Sequence, residues 1–179
     1  MPIIIASAAE LRGKSFPPIR FLAPPFIPEG CTILAGRPKI GKSWLMLAIG
    51  LDVACEGGDV LYLALEDNER RLQTRMGKLL GPAGEWPARF QYATQCLRAD
   101  QGGLSGIREW IKKAEKPTLV VVDVLANFRP PRGHDAYESD YGAVKDLQRV
   151  PARRASPSSS SITSARAAPT ARRRTRSRR

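Results

Sequence analysis

Residues 31–43 read Cys31-Thr32-Ile33-Leu34-Ala35-Gly36-Arg37-Pro38-Lys39-Ile40-Gly41-Lys42-Ser43, an apolar run that breaks into a glycine-framed loop. The spacing is G-x-x-x-x-G-K-[ST], with Gly36 as its first glycine. Bare backbone at Gly36 and Gly41 turns tightly and aims successive N–H groups at phosphate oxygens, and the helix that follows offers its positive end. The stretch from Gly36 through Arg37, Pro38, Lys39, Ile40, Gly41, Lys42 and Ser43 to Trp44 therefore reads as a phosphate cradle. In it Lys42 reaches the β- and γ-phosphates as a point charge, and the Ser43 hydroxyl ligates Mg²⁺. At ordinary residue frequencies the pattern arises by chance in roughly 0.6% of chains this long. Its setting is the one the chemistry needs, with strand-like Thr32–Ala35 before it and the helical apolar run Trp44–Ile49 after it.

Outward from the loop, 179 residues with 42% hydrophobic content suffice for one domain with a core. No apolar run approaches the roughly 20 residues of a membrane helix, and the opening Met-Pro-Ile-Ile-Ile lacks the basic start of a signal peptide, so a cytoplasmic protein with no membrane partner is expected. Cys31, Cys55 and Cys96 are odd in number and set among apolar neighbours, which predicts buried free thiols. The net charge of +12 is unevenly spread: residues 151–179 hold nine arginines and no acid, which leaves +3 for residues 1–150. Three segments follow: a proline-rich, irregular lead-in over 1–30, a phosphate-loop core over 31–149, and an Arg/Ser/Ala-rich tail over 150–179 whose composition predicts disorder.

Within the core, the helix after the loop is expected to stop near Glu56-Gly57-Gly58. Asp59–Leu65 is apolar on both parities, as a strand covered on both faces would be. It runs into the acidic cluster Glu66-Asp67-Asn68-Glu69 and then into helical spacing, with Asn68 or Asp67 as the cap and Glu69 as a first-turn acid. Phe90–Thr94 reads as a short strand, and residues 104–115 as an amphipathic packing helix with Leu104, Ile107, Trp110 and Ile111 on one face. Pro117–Asp123 is a β-branched strand delivering one carboxylate at its end, placed to hold a magnesium ion across from Ser43. The alternation predicts an α/β fold of three layers with a mostly parallel sheet, and Ser43, Glu66 and Asp123 along the carboxyl edge of its strands. Such a convergence supplies a metal held by Ser43 and Asp123 and a base, Glu66, that orients water towards the γ-phosphate.

Leu34–Trp44, Leu61–Leu72 and Leu119–Asp123 together resemble RecA-type P-loop ATPases, specifically the AAA-family group related to the plasmid replicative helicase RepA. The likeness covers about residues 15–148. It implies ATP and Mg²⁺ as ligands, Glu66 as catalytic base, Lys42 as charge stabiliser, Asp123 on magnesium, and in the intact family form DNA as partner and a hexameric ring. Leu125–Arg129 and Asp135–Leu147 resemble the segment and helix that follow in that family. The family pattern then continues with a further apolar strand, a sensor residue and an arginine finger, whereas here residues 150–179 turn to Arg, Ser, Ala, Pro and Thr, and His134 lies in the loop.

One account of this departure is a frameshifted, truncated domain that binds ATP with weak or no hydrolysis. The other is a basic arm that contacts nucleic-acid phosphates. Two further functional classes stand beside the ATPase or helicase: a regulatory nucleotide-binding module and a small-molecule kinase. Nothing after Asp123 resembles the arginine-bearing lid that a kinase requires.

Overall fold

The computed structural model describes residues 4–131 together with 145, 147 and 148. Its centre is a three-stranded parallel sheet in the order β4-β3-β5, formed by β3 (Asp59–Ala64), β4 (Phe90–Ala93) and β5 (Pro117–Asp123). Strand β3 carries the sheet because its side chains are apolar on both faces. Val60, Tyr62 and Ala64 join one core with Leu119 and Val121, while Leu61 and Leu63 join another with Val120 and Val122. Each face is then covered by helix, the condition for a parallel sheet to be stable. On the first face lie α2 (Lys42–Cys55) and α3 (Glu69–Leu80), through Leu47, Leu51, Leu72 and Met76. The second is covered by α4 (Gly103–Lys113), through Leu104 and Ile107, and by Phe128 of the short helix α5 (Leu125–Phe128). The result is the expected three-layer α/β arrangement, consistent with part of a RecA-like P-loop domain.

Local signals set the boundaries. Asn68 caps α3, its side chain accepting from the Arg71 amide at 2.9 Å, so Asn68 and not Asp67 is the cap. At Gly50 in α2 a Cβ would lie 2.9 Å from the buried Phe90 ring; the missing side chain is what lets the helix approach β4 this closely. Trp110 donates its indole N–H to Gln91 Oε1 at 2.6 Å, tying α4 to β4.

Three expectations are corrected. Thr32–Ala35 is not a strand: Ile33 and Leu34 are 60% and 43% exposed, and among the described residues the segment forms no ladder with β5. Strand propensity becomes structure only where a paired edge and a covered face reward it. The lead-in is not wholly irregular, since it contains helix α1 (Ala8–Arg12) and an antiparallel hairpin of β1 (Phe21–Ala23) with β2 (Ile27–Pro28). A reciprocal capping box between Ser7 and Glu10 starts α1, and Ile27 of the hairpin enters the core. The three thiols are free, but Cys31 and Cys55 are exposed and Cys96 half-buried. The tail over 150–179, His134 and most of the helix expected over Asp135–Leu147 lie outside the described residues. Lys145, Leu147 and Gln148 are helical, and Leu147 packs on the second core.

The amino ends of the strands are held by one carboxylate. Asp59, at the start of β3, accepts from the Lys116 amide at 2.6 Å, just before β5, and pairs at 2.8 Å with Arg89, just before β4. Arg89 also reaches Glu115 at 2.7 Å. Burial opposes the Asp59 charge, but the Lys116 amide and the Arg89 guanidinium outweigh it and hold the carboxyl below its usual range. A carboxyl lowered in this way contributes stability above its unfolded pKa and loses it as pH falls through the folded one. In urea denaturation Asp59→Asn is expected to cost about 1–3 kcal/mol near neutral pH. The gap from wild type should then close as pH drops below about 4. A gap that stays constant to about pH 2 would contradict the clamp.

Candidate functional site

The carboxyl ends of β3 and β5 meet the start of α2, and the loop from Gly36 to Ser43 lies over that junction. Gly41 adopts φ +97° as the residue that opens α2, and Lys39 adopts φ +64°. Left-handed backbone at these positions curls the chain, as an anion nest requires, and at Gly41 only glycine takes it without strain. The Lys42 ammonium donates to the carbonyls of Gly36 and Arg37, both at 2.8 Å, so its charge rests inside its own loop. Arg37, Pro38, Lys39 and Ile40 are exposed along the loop crest, and Trp44 is half-buried behind it.

Ser43 and Asp123, eighty residues apart in sequence, meet here: Ser43 Oγ donates to Asp123 Oδ1 at 3.1 Å. The other carboxylate oxygen, Oδ2, accepts from the Tyr62 hydroxyl at 2.8 Å, and the same hydroxyl lies 3.4 Å from the Ser43 carbonyl. Burial and the neighbouring Asp123 charge push the Tyr62 phenol far above its ordinary pKa, so it stays protonated and can only donate to the carboxylate. The peptide between Asp123 and Val124 is cis.

A hydroxyl and one carboxylate are hard oxygen donors suited to Mg²⁺, which keeps most of its shell as water and phosphate oxygens and needs few protein ligands. Among the described residues no cluster of three His, Cys, Asp or Glu side chains that could hold a metal ion forms.

Glu66 sits two residues beyond the last residue of β3, in the turn that leads to α3, and is exposed. Strand register places it at the same edge: Ala64 pairs with Asp123, and the Leu65 amide donates to the Asp123 carbonyl at 2.7 Å. Asn127 of α5 holds the Leu65 carbonyl at 2.9 Å. Among the described residues the Glu66 carboxylate makes no hydrogen bond or ion pair.

Its neighbour Asp67, taken from sequence as a possible cap, instead pairs with Arg71 at 3.1 Å and with Arg75. Arg75 in turn lies over the Trp44 indole, 5.6 Å from the ring centre. Glu69 stays a first-turn acid of α3 and accepts from the Tyr92 hydroxyl at 3.2 Å. Beside the phosphate loop, Trp44, Arg71 and Arg75 line an open groove of about 490 Å³.

The structure thus brings Ser43 and Asp123 together and places Glu66 at the same edge; sequence reasoning gave no role here to Tyr62, Arg75 or Asn127 and read Asp67 only as a possible cap. For Tyr62 a signal was present: one hydroxyl in an otherwise apolar run, Val60–Ala64, at a position that the strand buries.

No helix among the described residues is long and apolar enough to cross a membrane. A family profile described as AAA domain matches residues 5–155. No curated protein and no solved structure matches the chain. The match spans most of the sequence and takes in the glycine loop together with both carboxylate-bearing strands, so the chain belongs to the AAA domain family of nucleotide-binding P-loop ATPases.

Proposed function

We propose that the chain binds ATP with Mg²⁺ in the Gly36–Ser43 loop, as a P-loop ATPase of the RepA/RecA-like kind. The observation that carries the reading is the 3.1 Å contact between Ser43 and Asp123 directly below the loop, which brings the two expected metal ligands together from distant parts of the chain. Its association with DNA unwinding or replication, and assembly into a ring, follow from the RepA-like motifs. The nine arginines of residues 151–179 add a sequence that phosphate backbones would attract.

In this reading the curled backbone at Lys39 and Gly41 turns N–H groups towards the phosphates, and the first turn of α2 adds its dipole. Lys42 exchanges its two carbonyl partners for phosphate oxygens. Ser43 and Asp123 hold Mg²⁺, which when bound neutralises charge on the phosphate oxygens. Glu66, exposed and unpaired among the described residues, is the base that takes the proton of the attacking water.

A fluorescent ATP analogue titrated against the full chain, with and without Mg²⁺, tests the cradle. Lys42→Ala should weaken binding about 10-fold or more, the loss of a charge-assisted contact to phosphate. Unchanged affinity in a folded Lys42→Ala protein would place the nucleotide elsewhere or nowhere.

Glu66→Gln separates catalysis from binding. Affinity should hold, while the rate of phosphate release falls about 100-fold or more. Phosphate release at the wild-type rate would remove Glu66 from the chemistry. ATP-dependent change in oligomer size with no phosphate release from the wild type would favour the regulatory module over the ATPase.

A further inference from the structure

The Ser43–Asp123 contact depends on which way the aspartate is turned, and the structure holds a third group that decides this. Tyr62 is 1% exposed, on the central strand, with its ring stacked on Phe90 at 5.8 Å between centroids and 29° between planes. A buried ring at that position needs no hydroxyl for packing, and a buried hydroxyl without a partner is costly. This one is spent at the site, on Asp123 Oδ2 at 2.8 Å and near the Ser43 carbonyl at 3.4 Å.

We infer that Tyr62 is the positioning residue of the metal site: its hydroxyl holds Asp123 Oδ2, and so leaves Oδ1 facing Ser43 and the divalent cation. The inference rests on the proposed ATP and Mg²⁺ reading and adds to it a residue that touches neither ligand. With Oδ2 bonded, the carboxylate is fixed about its own axis. Oδ1 is then presented to the Ser43 hydroxyl at the start of α2. Without the phenol the carboxylate can rotate, and the metal site loses its preset geometry. Groups that orient a metal ligand in this way change metal affinity by about 10- to 100-fold when removed.

The test is the ratio of ATP-analogue affinities measured with and without Mg²⁺ on the full chain, together with the Mg²⁺ concentration giving half of the enhancement. Tyr62→Phe keeps the ring and removes only the hydroxyl; we expect half-enhancement to need about 10-fold more Mg²⁺. Phe90→Leu disturbs the same stacked pair but keeps the hydroxyl, and should leave the Mg²⁺ midpoint within about twofold of wild type, as a site untouched by the change would. In an Asp123→Asn background, adding Tyr62→Phe should have no further effect, because the carboxylate it orients is gone.

A Tyr62→Phe protein with the wild-type midpoint overturns the inference and leaves the ATP reading standing. So does an equal shift in Phe90→Leu, which would make packing the cause. Loss of the fold in Tyr62→Phe would mark the hydroxyl as a structural bond and also overturn it. A wild-type chain with no Mg²⁺-dependent enhancement removes both the inference and the reading beneath it.

Discussion

A strand buried on both faces can carry polar chemistry only at its ends, and β3 is such a strand. Val60, Tyr62, Leu63 and Ala64 are all at most 3% exposed. Polar groups placed mid-strand would have to find partners in a dry interior, where an unpaired hydroxyl or carboxylate costs several times what a paired one returns. The acids therefore sit at the two edges of the sheet. Asp59 at the amino edge gathers the approaches to β4 and β5, and Asp123 at the carboxyl edge meets the helix start. Tyr62 bridges the two regimes, burying its ring in the core and delivering its hydroxyl to the carboxyl edge.

The same constraint explains why the site assembles from such distant residues. Parallel register between β3 and β5, from Val60 opposite Leu119 to Ala64 opposite Asp123, is set by apolar side chains that must face helix on both sides. A one-residue slip would exchange the two faces of β5 and move Asp123 away from Tyr62. Hydrophobic burial thus fixes a polar geometry it does not contain. The tie between Asn127 and the Leu65 carbonyl extends that register past the strand ends, to the turn bearing Glu66.

Most of the fold was legible because its signals are local. Strands β3, β4 and β5 and helices α2, α3 and α4 follow from apolar parity, glycine stops and the Asn68 cap, each within a few residues of its expected bounds. The Ser7-x-x-Glu10 capping box is equally local, but it lies in a proline-rich stretch whose composition argues against helix. Thr32–Ala35 failed for the opposite reason: strand propensity is a property of the segment, whereas pairing is a property of the sheet. In the site, the loop and the two strand-end acids carry recognisable spacing. The contacts of Tyr62 with Asp123 and of Arg75 with Trp44 depend on register and helix phase across 61 and 31 positions, which no short pattern encodes, whereas Asp67 pairs locally with Arg71 at i,i+4 spacing.

The state of Lys42 sets what a ligand must do on arrival. Two of the three N–H donors of its ammonium go to carbonyls of the loop it belongs to, so the loop itself orients its cation. Each such charge-assisted bond is worth about 1.5–3 kcal/mol net, and the third N–H of the ammonium is the one an anion can take without displacing them. In the proposed ATP reading a polyphosphate would engage the amides of the curled loop, the α2 dipole and the lysine together, whereas a single phosphate would reach only part of them. In that reading a preference for longer phosphate chains comes from the number of cradle groups engaged at once, and not from the Lys42 contacts, which weigh equally on every anion.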